Sequence, residues 1–321
     1  MSLATPLGAG AEFDRIRGFA ARWRERAHGL GDDCAFIESG GDVLAVSIDL
    51  AVENVHFRRD WMTPAEIGYR AASAALSDLA AVAAEPLALL LALGAPAREP
   101  TATLDGIADG VGDACADAGA FIVGGDLSRA DSLIVDCCVI GRATAAVRRR
   151  GAKPGDRIVV TGQLGGPLAA LTAWRRGGTP APAARQRFVR PAPRHEAARF
   201  LAQHRARAMI DVSDGLAADL GHLLVASDVA GHVRCEAMPL HPDALAAARE
   251  TGEEPWRFAA RSGEEYELVA ALPDAVTDAE LAASPVPLTV IGTIEAGSGV
   301  RATLNGAAGS LPPGHDHFAS A

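Results

Sequence analysis

Short apolar runs of strand length alternate with helix-length segments from one end of this chain to the other. CAFIES and VLAVSID flank Gly41-Asp42 and read as two strands joined by a tight turn. The segment TPAEIGYRAASAALSDLAAVAA follows, and its Thr63, Pro64 and Glu66 form a capping box with proline at the first helical position. PLALLLALG reads as a buried strand, 101–119 as an amphipathic helix stopped by Gly119, and FIVGG and SLIVDCCVIGRA as strands. RIVVTG, AMIDVS, YELVAALP and PLTVIGTIEAG supply strands to the second half, with helices over 165–176 and 215–227. The Pro-rich stretch TPAPAARQRFVRPAPR reads as a surface crossing. This alternation makes the class α/β or α+β in two halves. A length of 321 residues suits two domains. The basic, Gly/Pro-containing turn at 148–157 is the expected boundary, giving domains 1–147 and 148–321.

Charge narrows the partners. The chain carries 30 Lys and Arg against 40 Asp and Glu, a formal charge of −10. It lacks the basic footprint of a nucleic-acid binder, and nothing in it favours a membrane surface. Residues 1–17 have no charged region followed by an apolar one, so no signal peptide is read. The most apolar stretch, 79–97, is broken by Glu85, Pro86 and Pro96 and reads as a helix end plus a strand. Cys34, Cys115, Cys137, Cys138 and Cys235 form no C-x-x-C pair, so neither a disulfide framework nor a thiolate zinc site is indicated. A cytoplasmic location is expected.

The aspartates carry the functional signal. VLAVSID ends in Asp49, FIVGGD in Asp126, AMIDVSD holds Asp211 and Asp214, and GLGDD holds Asp32 and Asp33. Side chains at strand ends project from a rigid sheet edge, where ligands are often held. At 100° per residue Asp78 shares a helical stripe with Ile67, Ala71, Ala74 and Val82, so its carboxylate needs a partner or a cation. Singly, each has an ordinary explanation: Asp214 before Gly215 as a helix cap, Asp32-Asp33 as a turn, strand-end aspartates as turn formers. Together, carboxylates on separate elements suggest hard cations, typically magnesium with substrate phosphates. No Walker motif or kinase Gly-rich loop is present, and VTGQLGG is a strand–glycine–helix turn able to offer N–H groups to an anion. His315 and His317 lie close in sequence, but the scattered histidines do not indicate a zinc site, and there is no G-x-S-x-G or Cys/His nucleophile arrangement.

The ordered motifs GLGDDC, SIDLAVENVHF, ALSDLAAVAAEP, IVGGD, RGAKPGDRIVVTGQLGG, IDVSDGLAADLGH, SGEEYEL and GHDHF resemble those of the thiamine-monophosphate kinases, in the aminoimidazole-ribonucleotide-synthetase-like superfamily. The resemblance runs from about Glu12 to Phe318. It implies a two-domain α/β (α+β) fold whose N-terminal half dimerises through its sheet. It also implies an ATP cleft with several magnesium ions, and γ-phosphoryl transfer from ATP to thiamine monophosphate. Carried over by position, Asp33, Ser47, Asp49, Asp78, Asp126, Asp211 and Asp214 are the implied metal ligands, with Asp78, Asp126 and Asp211 at the reacting centre. Gly125, Asp126, Arg149 and Ser213 are the implied ATP contacts, and His56 and Glu264 the implied acceptor contacts.

This chain departs from the family pattern in places. Ile48 stands where the family commonly has Thr, Ala75 where Asn is usual, and Ser262-Gly263-Glu264-Glu265 where Gly-Gly-Glu-Asp is usual. A Trp common before the final motif is replaced around Pro312. The ATP–magnesium half of the pattern is kept more fully than the acceptor half. Two other readings stay open at this point: a superfamily relative that uses ATP on another acceptor, and a non-catalytic nucleotide-binding paralogue.

Overall fold

The computed structural model describes residues 5–315 and 318. In the first half, α1 (Ala11–Trp23) is followed by β1 (Ala35–Ser39), β2 (Asp42–Val52), α2 (Pro64–Ala81), β3 (Glu85–Ala95), α3 (Thr101–Ala118), β4 (Phe121–Arg129) and β5 (Ile134–Arg142). Gly40 and Gly41, with φ of 61° and 97°, make the β1–β2 turn. Positive φ at both central residues matches the twist of a two-residue hairpin. Thr63 and Glu66 cap α2 reciprocally, as the sequence predicts. These strands order as β1-β2-β5-β3-β4, with β3 and β4 parallel and the other pairs antiparallel.

α2 and α3 cover one face of this sheet, where Leu76, Leu79, Ile107 and Val111 bury against Leu89, Val135, Cys137 and Val139. The helices cross with backbones almost touching. A Cβ on Gly68 would lie 2.0 Å from the Ile107 carbonyl oxygen, and one on Gly110 would lie 1.9 Å from that of Ala65. The opposite face is open: Ile48 is 66% exposed, Phe121 75% and Leu127 63%. β3 is accordingly half-buried along most of its length, not enclosed on both faces as its apolar run suggested.

The second half contains β6 (Arg157–Thr161), α4 (Gly166–Arg175), α5 (Pro182–Val189), α6 (His195–Gln203), β7 (Ala208–Asp211), α7 (Leu216–Ser227) and β8 (Ala230–Arg234). It continues with α8 (Pro242–Thr251), α9 (Pro255–Ala260), β9 (Leu268–Leu272), α10 (Asp278–Leu281), β10 (Leu288–Glu295), β11 (Gly299–Leu304) and β12 (Ala307–Gly309). Its described strands form a sheet in the order β12-β11-β8-β10-β6-β9-β7. Leu216, Leu220 and Leu223 of α7 pack with Val160, Ile210, Val233, Val269 and Ile291. A separate apolar cluster joins Ala80 and Ala81 of α2 to Met209 and Leu268 of this sheet. α2 is therefore packed by both halves.

The Pro-rich stretch is not a surface crossing. It contains α5, which starts with proline at its first turn and buries Phe188 and Val189 in the core of the first half. Among the described residues no helix is long and apolar enough to cross a membrane.

The α2–α3 crossing yields a test with a sign opposite to helix propensity. Gly→Ala inside a helix ordinarily gains up to about 1 kcal/mol. Here Gly110→Ala drives a methyl into a backbone carbonyl and should cost about 1–3 kcal/mol, read as a lower denaturant midpoint. Gly112, whose added Cβ meets nothing within 4 Å, is the matched control.

Candidate active site

Three elements of the first half and one strand of the second meet along the cleft side of α2. The loop before β1 supplies Asp33, β2 supplies Ser47 and Asp49, α2 supplies Ser77 and Asp78, and the end of β7 supplies Asp211. Carboxylate oxygens of Asp33, Asp78 and Asp211 all lie within 4.8 Å of one another. Asp33 and Asp211 are buried, whereas Asp78 is half-buried and opens into the cleft with Ala74. α2 is thus covered nearly all round, and the stripe containing Ala74 and Asp78 is its side facing the cleft.

Each carboxylate is held by its neighbours. Ser47 Oγ donates to Asp78 Oδ2 at 2.5 Å, and Ser77 Oγ donates to Asp211 Oδ2 at 2.6 Å. The Arg149 guanidinium forks onto Asp33 at 2.8 and 3.2 Å, while its main-chain N–H donates to Asp32 at 2.8 Å. Burial raises the Asp78 carboxyl well above its ordinary range, and Asp211, Asp49 and Asp33 add to the effect. Burial, with repulsion from Asp33, pushes Asp211 up to about 7. Burial also raises Asp33 against the pull of Arg149, and raises Asp49. Burial alone would lower Arg149, but the Asp33 carboxylate outweighs it and keeps the guanidinium firmly charged.

The donor set tests whether magnesium fits. Asp33, Asp49, Asp78, Asp211 and the Ser47 hydroxyl are hard oxygen donors, the chemistry this ion takes. The nearby Cys34 thiol is engaged instead with the main-chain carbonyl of Asp78, at 3.3 Å. The set fits magnesium and not a thiolate-bound metal.

The cleft of about 690 Å³ is also lined by His56, Ser213, Asp214, Gly263, Glu264 and His315. His56 sits on the turn after β2, where Val52 N–H donates to its Nδ1 at 3.0 Å. Glu264 and Tyr266 adopt left-handed φ of 60° and 51°. The buried Arg70 of α2 ion-pairs with Glu264 and donates to the Phe188 carbonyl at 2.5 Å. Such backbone conformations persist only when surrounding contacts fix them.

Asp126 and Gly125 do not join this cluster within the chain. Neither Asp49 nor Asp126 ends its strand; both lie inside, on β2 and β4. Register places Asp126 in one row with Ala92, Asp136 and Leu50, three strand spacings from β2, or about 14 Å. Side-chain alternation puts that row on the open face, away from α2, while Asp49 and Ser47 point toward the helices. The expectation that apolar runs stop at their aspartates holds for Asp211, the last residue of β7, and fails for Asp49 and Asp126, whose pairing partners extend past them.

Other expectations also change. The helix cap position before α7 is Gly215, not Asp214. The carboxylate that shapes this turn is the buried Asp219, which accepts the N–H groups of Ser213, Asp214 and Gly215 at 3.0–3.1 Å. The turn after β6 is no phosphate cradle either. Its Gly162 and Leu164 amides bond to the Pro287 and Pro239 carbonyls, and its Gly165 amide to the buried Glu265 carboxylate. Of the departures, Ile48 points onto the open face, Ala75 is core, and Ser262 Oγ accepts the Leu168 amide at 3.3 Å. His317 lies outside the described residues.

Comparison with known proteins assigns the class. Residues 31–143 match the AIR synthase related protein N-terminal domain, and residues 153–305 match the corresponding C-terminal domain. Within that class the resemblances are more particular. The thiamine-monophosphate kinase of Escherichia coli is 35% identical over 320 residues, covering 96% of both chains. That of Mycobacterium tuberculosis is 38% identical over 245 residues, 75% of this chain and 74% of the relative. A solved structure described as AaThiL complexed with AMPPCP and TMP superposes with a TM-score of 0.87 at 28% identity, over 96% of this chain and 97% of that one. The chain belongs to the thiamine-monophosphate kinase family.

The crowded carboxylates predict a pH-dependent response to magnesium. A carboxyl whose pKa is raised by folding binds its proton more tightly in the folded state, so its contribution to stability is lost as pH rises. For Asp211 the loss falls between about 4 and 7. Millimolar magnesium, held by the ionised cluster, would stabilise the native state. The rise in Tm on adding magnesium should therefore be larger at pH 8 than at pH 5. A Tm indifferent to magnesium at pH 8 contradicts a cation site here.

Proposed function

We propose that this protein transfers the γ-phosphoryl group of ATP to thiamine monophosphate, giving thiamine diphosphate and ADP. The observation that carries the reading is the convergence of Asp33, Asp78 and Asp211 within 4.8 Å of one another at a cleft lined by Asp49, Asp78 and Asp211, in a chain of this family. A phosphate-monoester oxygen of the acceptor attacks the γ-phosphorus in line, and the bond to the β-phosphate oxygen breaks. The acceptor is itself an anion near neutral pH, its second pKa being about 6. No general base is therefore assigned. What the protein supplies is positioning and charge.

Asp33, Ser47, Asp49, Asp78, Asp211 and Asp214 are the residues we assign to hold magnesium. Held there, magnesium would supply neutralisation of the negative charge on the phosphates. Ser77 and Ser47 fix the carboxylates they bond, so the cleft needs little rearrangement as charge moves. Arg149 offsets part of the cost of charge on Asp33 and presents its remaining cationic edge to the nucleotide phosphates, and Ser213 lies beside them. His56 and Glu264 contact the acceptor, with Arg70 holding Glu264 in place.

Gly125 and Asp126 serve a site from the open sheet face, so a second copy of the chain is required. The exposed Ile48 and Leu50 of β2, with Phe121, Ile122 and Leu127 of the edge strand β4, supply the apolar surface for a two-fold dimer. Asp126 of one subunit then reaches the cleft of its partner. Five unpaired cysteines suit the cytoplasm.

Two measurements test this. Asp78→Asn keeps shape and removes charge, and should cost about 10²–10³ in kcat while leaving the fold intact. Full turnover by that variant would mark Asp78 as merely structural. In the dimer, Asp78→Asn and Asp126→Asn complement each other. Mixing the two inactive proteins under subunit exchange should return about a quarter of wild-type activity, because half the dimers are mixed and each has one intact site. No recovery on mixing would assign Asp126 to its own chain's cleft or to neither.

A further inference from the structure

The cleft has two chemically distinct ends. Opposite the carboxylates it is walled by Trp61, Leu168, Leu171 and Phe188. Trp61 lies before α2, and Trp174 lies on α4 in the other half of the molecule. Their rings stack in parallel, with centroids 5.3 Å apart and 3° between planes. Phe188 meets Trp174 edge-on at 5.3 Å, and the buried Arg70 guanidinium lies 3.8 Å from the Phe188 centroid. Trp61 is thus a rigid, backed aromatic surface that remains half-buried and faces the cavity.

A cation already sits on it. The Arg58 guanidinium lies 4.7 Å from the Trp61 centroid and is tied to Asp60 by two hydrogen bonds of 2.8 and 2.9 Å. Both partners of that ion pair are about half exposed or more. An exposed pair of this kind contributes little and gives way readily. The indole face, by contrast, attracts flat cations, most strongly when they are desolvated.

We propose that Trp61 is the specificity-determining residue for the acceptor: it stacks on a flat heteroaromatic cation whose attached phosphate reaches the carboxylate end, and Arg58 holds that face until the acceptor displaces it. The inference rests on the kinase reading, since thiamine monophosphate is a heteroaromatic cation joined to a phosphate monoester. Nucleotide binding does not depend on this surface.

The test compares wild type, Trp61→Ala, Trp61→Phe and Arg58→Ala, reading kcat, the KM of each substrate, Tm, and tryptophan fluorescence during titration with thiamine monophosphate. Trp61→Ala should raise the KM for thiamine monophosphate about 10- to 100-fold. Its KM for ATP and its kcat should stay within about twofold. Trp61→Phe keeps a π face and should recover most of the affinity. Arg58→Ala removes a competitor and should lower that KM. Acceptor binding should quench wild-type fluorescence, and Trp61→Phe should lose most of that quenching. If Trp61→Ala does not fold, the Trp61→Phe titration decides, and undiminished quenching overturns the proposal. Turnover by wild type with an unchanged acceptor KM in Trp61→Ala overturns it while leaving the kinase reading intact. Wild type that binds ATP but does not phosphorylate thiamine monophosphate overturns the kinase reading and this proposal with it.

Discussion

Mutual repulsion among buried carboxylates is the constraint around which this molecule is built. Asp33, Asp78 and Asp211 crowd their oxygens into less than 5 Å, with Asp49 in the same cleft. Burial penalises every charge, and each neighbour penalises it again. Such an arrangement survives only if the fold elsewhere holds the elements against separation. The protein offsets part of the cost locally, through Ser47 on Asp78, Ser77 on Asp211 and Arg149 on Asp33. Bound cations would offset the remainder. They would be the largest local charges in the site and would restore the carboxylates to their ionised form.

α2 does most of the holding. Its N-terminus is capped, its flank is pressed against α3 through Gly68 and Gly110, and its last turn is buried in the cluster that reaches the second sheet. Ser77 and Asp78 are adjacent in sequence yet serve different halves, because successive residues of a helix point 100° apart. Ser77 reaches Asp211 of β7, whereas Asp78 meets Ser47 of β2. Small side chains make this possible. Ala71, Ala72, Ala75, Ala80 and Ala81 let three layers approach one helix, consistent with a chain of only 5% aromatic residues. The cost is that few substitutions along this helix can be absorbed, since close-packed interiors transmit added volume to the backbone.

Local chemistry made much of this legible in the sequence. Capping boxes, glycine stops and apolar runs act over a few residues, so α2, α3 and most strands could be read directly. Asp78 was legible for the same reason, because a carboxylate on an apolar stripe conflicts with its surroundings unless something binds it. What could not be read depends on pairing. Asp126 shares the pattern of Asp211, an apolar run and then an acid, but register and side-chain parity send it to the other face. The Gly162–Gly165 turn has the composition of an anion site, yet its anion is Glu265, a hundred residues away. Asp219 showed no signal beyond its place in a helix, and only the fold reveals the three amides it gathers. α5 was hidden by prolines that stop helices in general but start this one.

The two ends of the cleft divide the chemistry between sequence-local and fold-dependent parts. The carboxylate end would repel a phosphate that arrives without cations, so under the kinase reading an anionic nucleotide would enter in company with metal. Arg149 does not remove this requirement, because its charge is already engaged with Asp33. The aromatic end has no such demand. Trp61, Trp174 and Phe188 form one backed surface drawn from both halves, and it attracts an acceptor ring whether or not metal is present. Recognition of the ring and activation of the phosphates therefore depend on different forces. Added salt screens exposed charges, whereas a desolvated contact between a cationic ring and the indole face is screened much less. High ionic strength should accordingly weaken the nucleotide side of the reaction more than the ring side, and a polyanion and a cation can share one cleft without competing for the same groups.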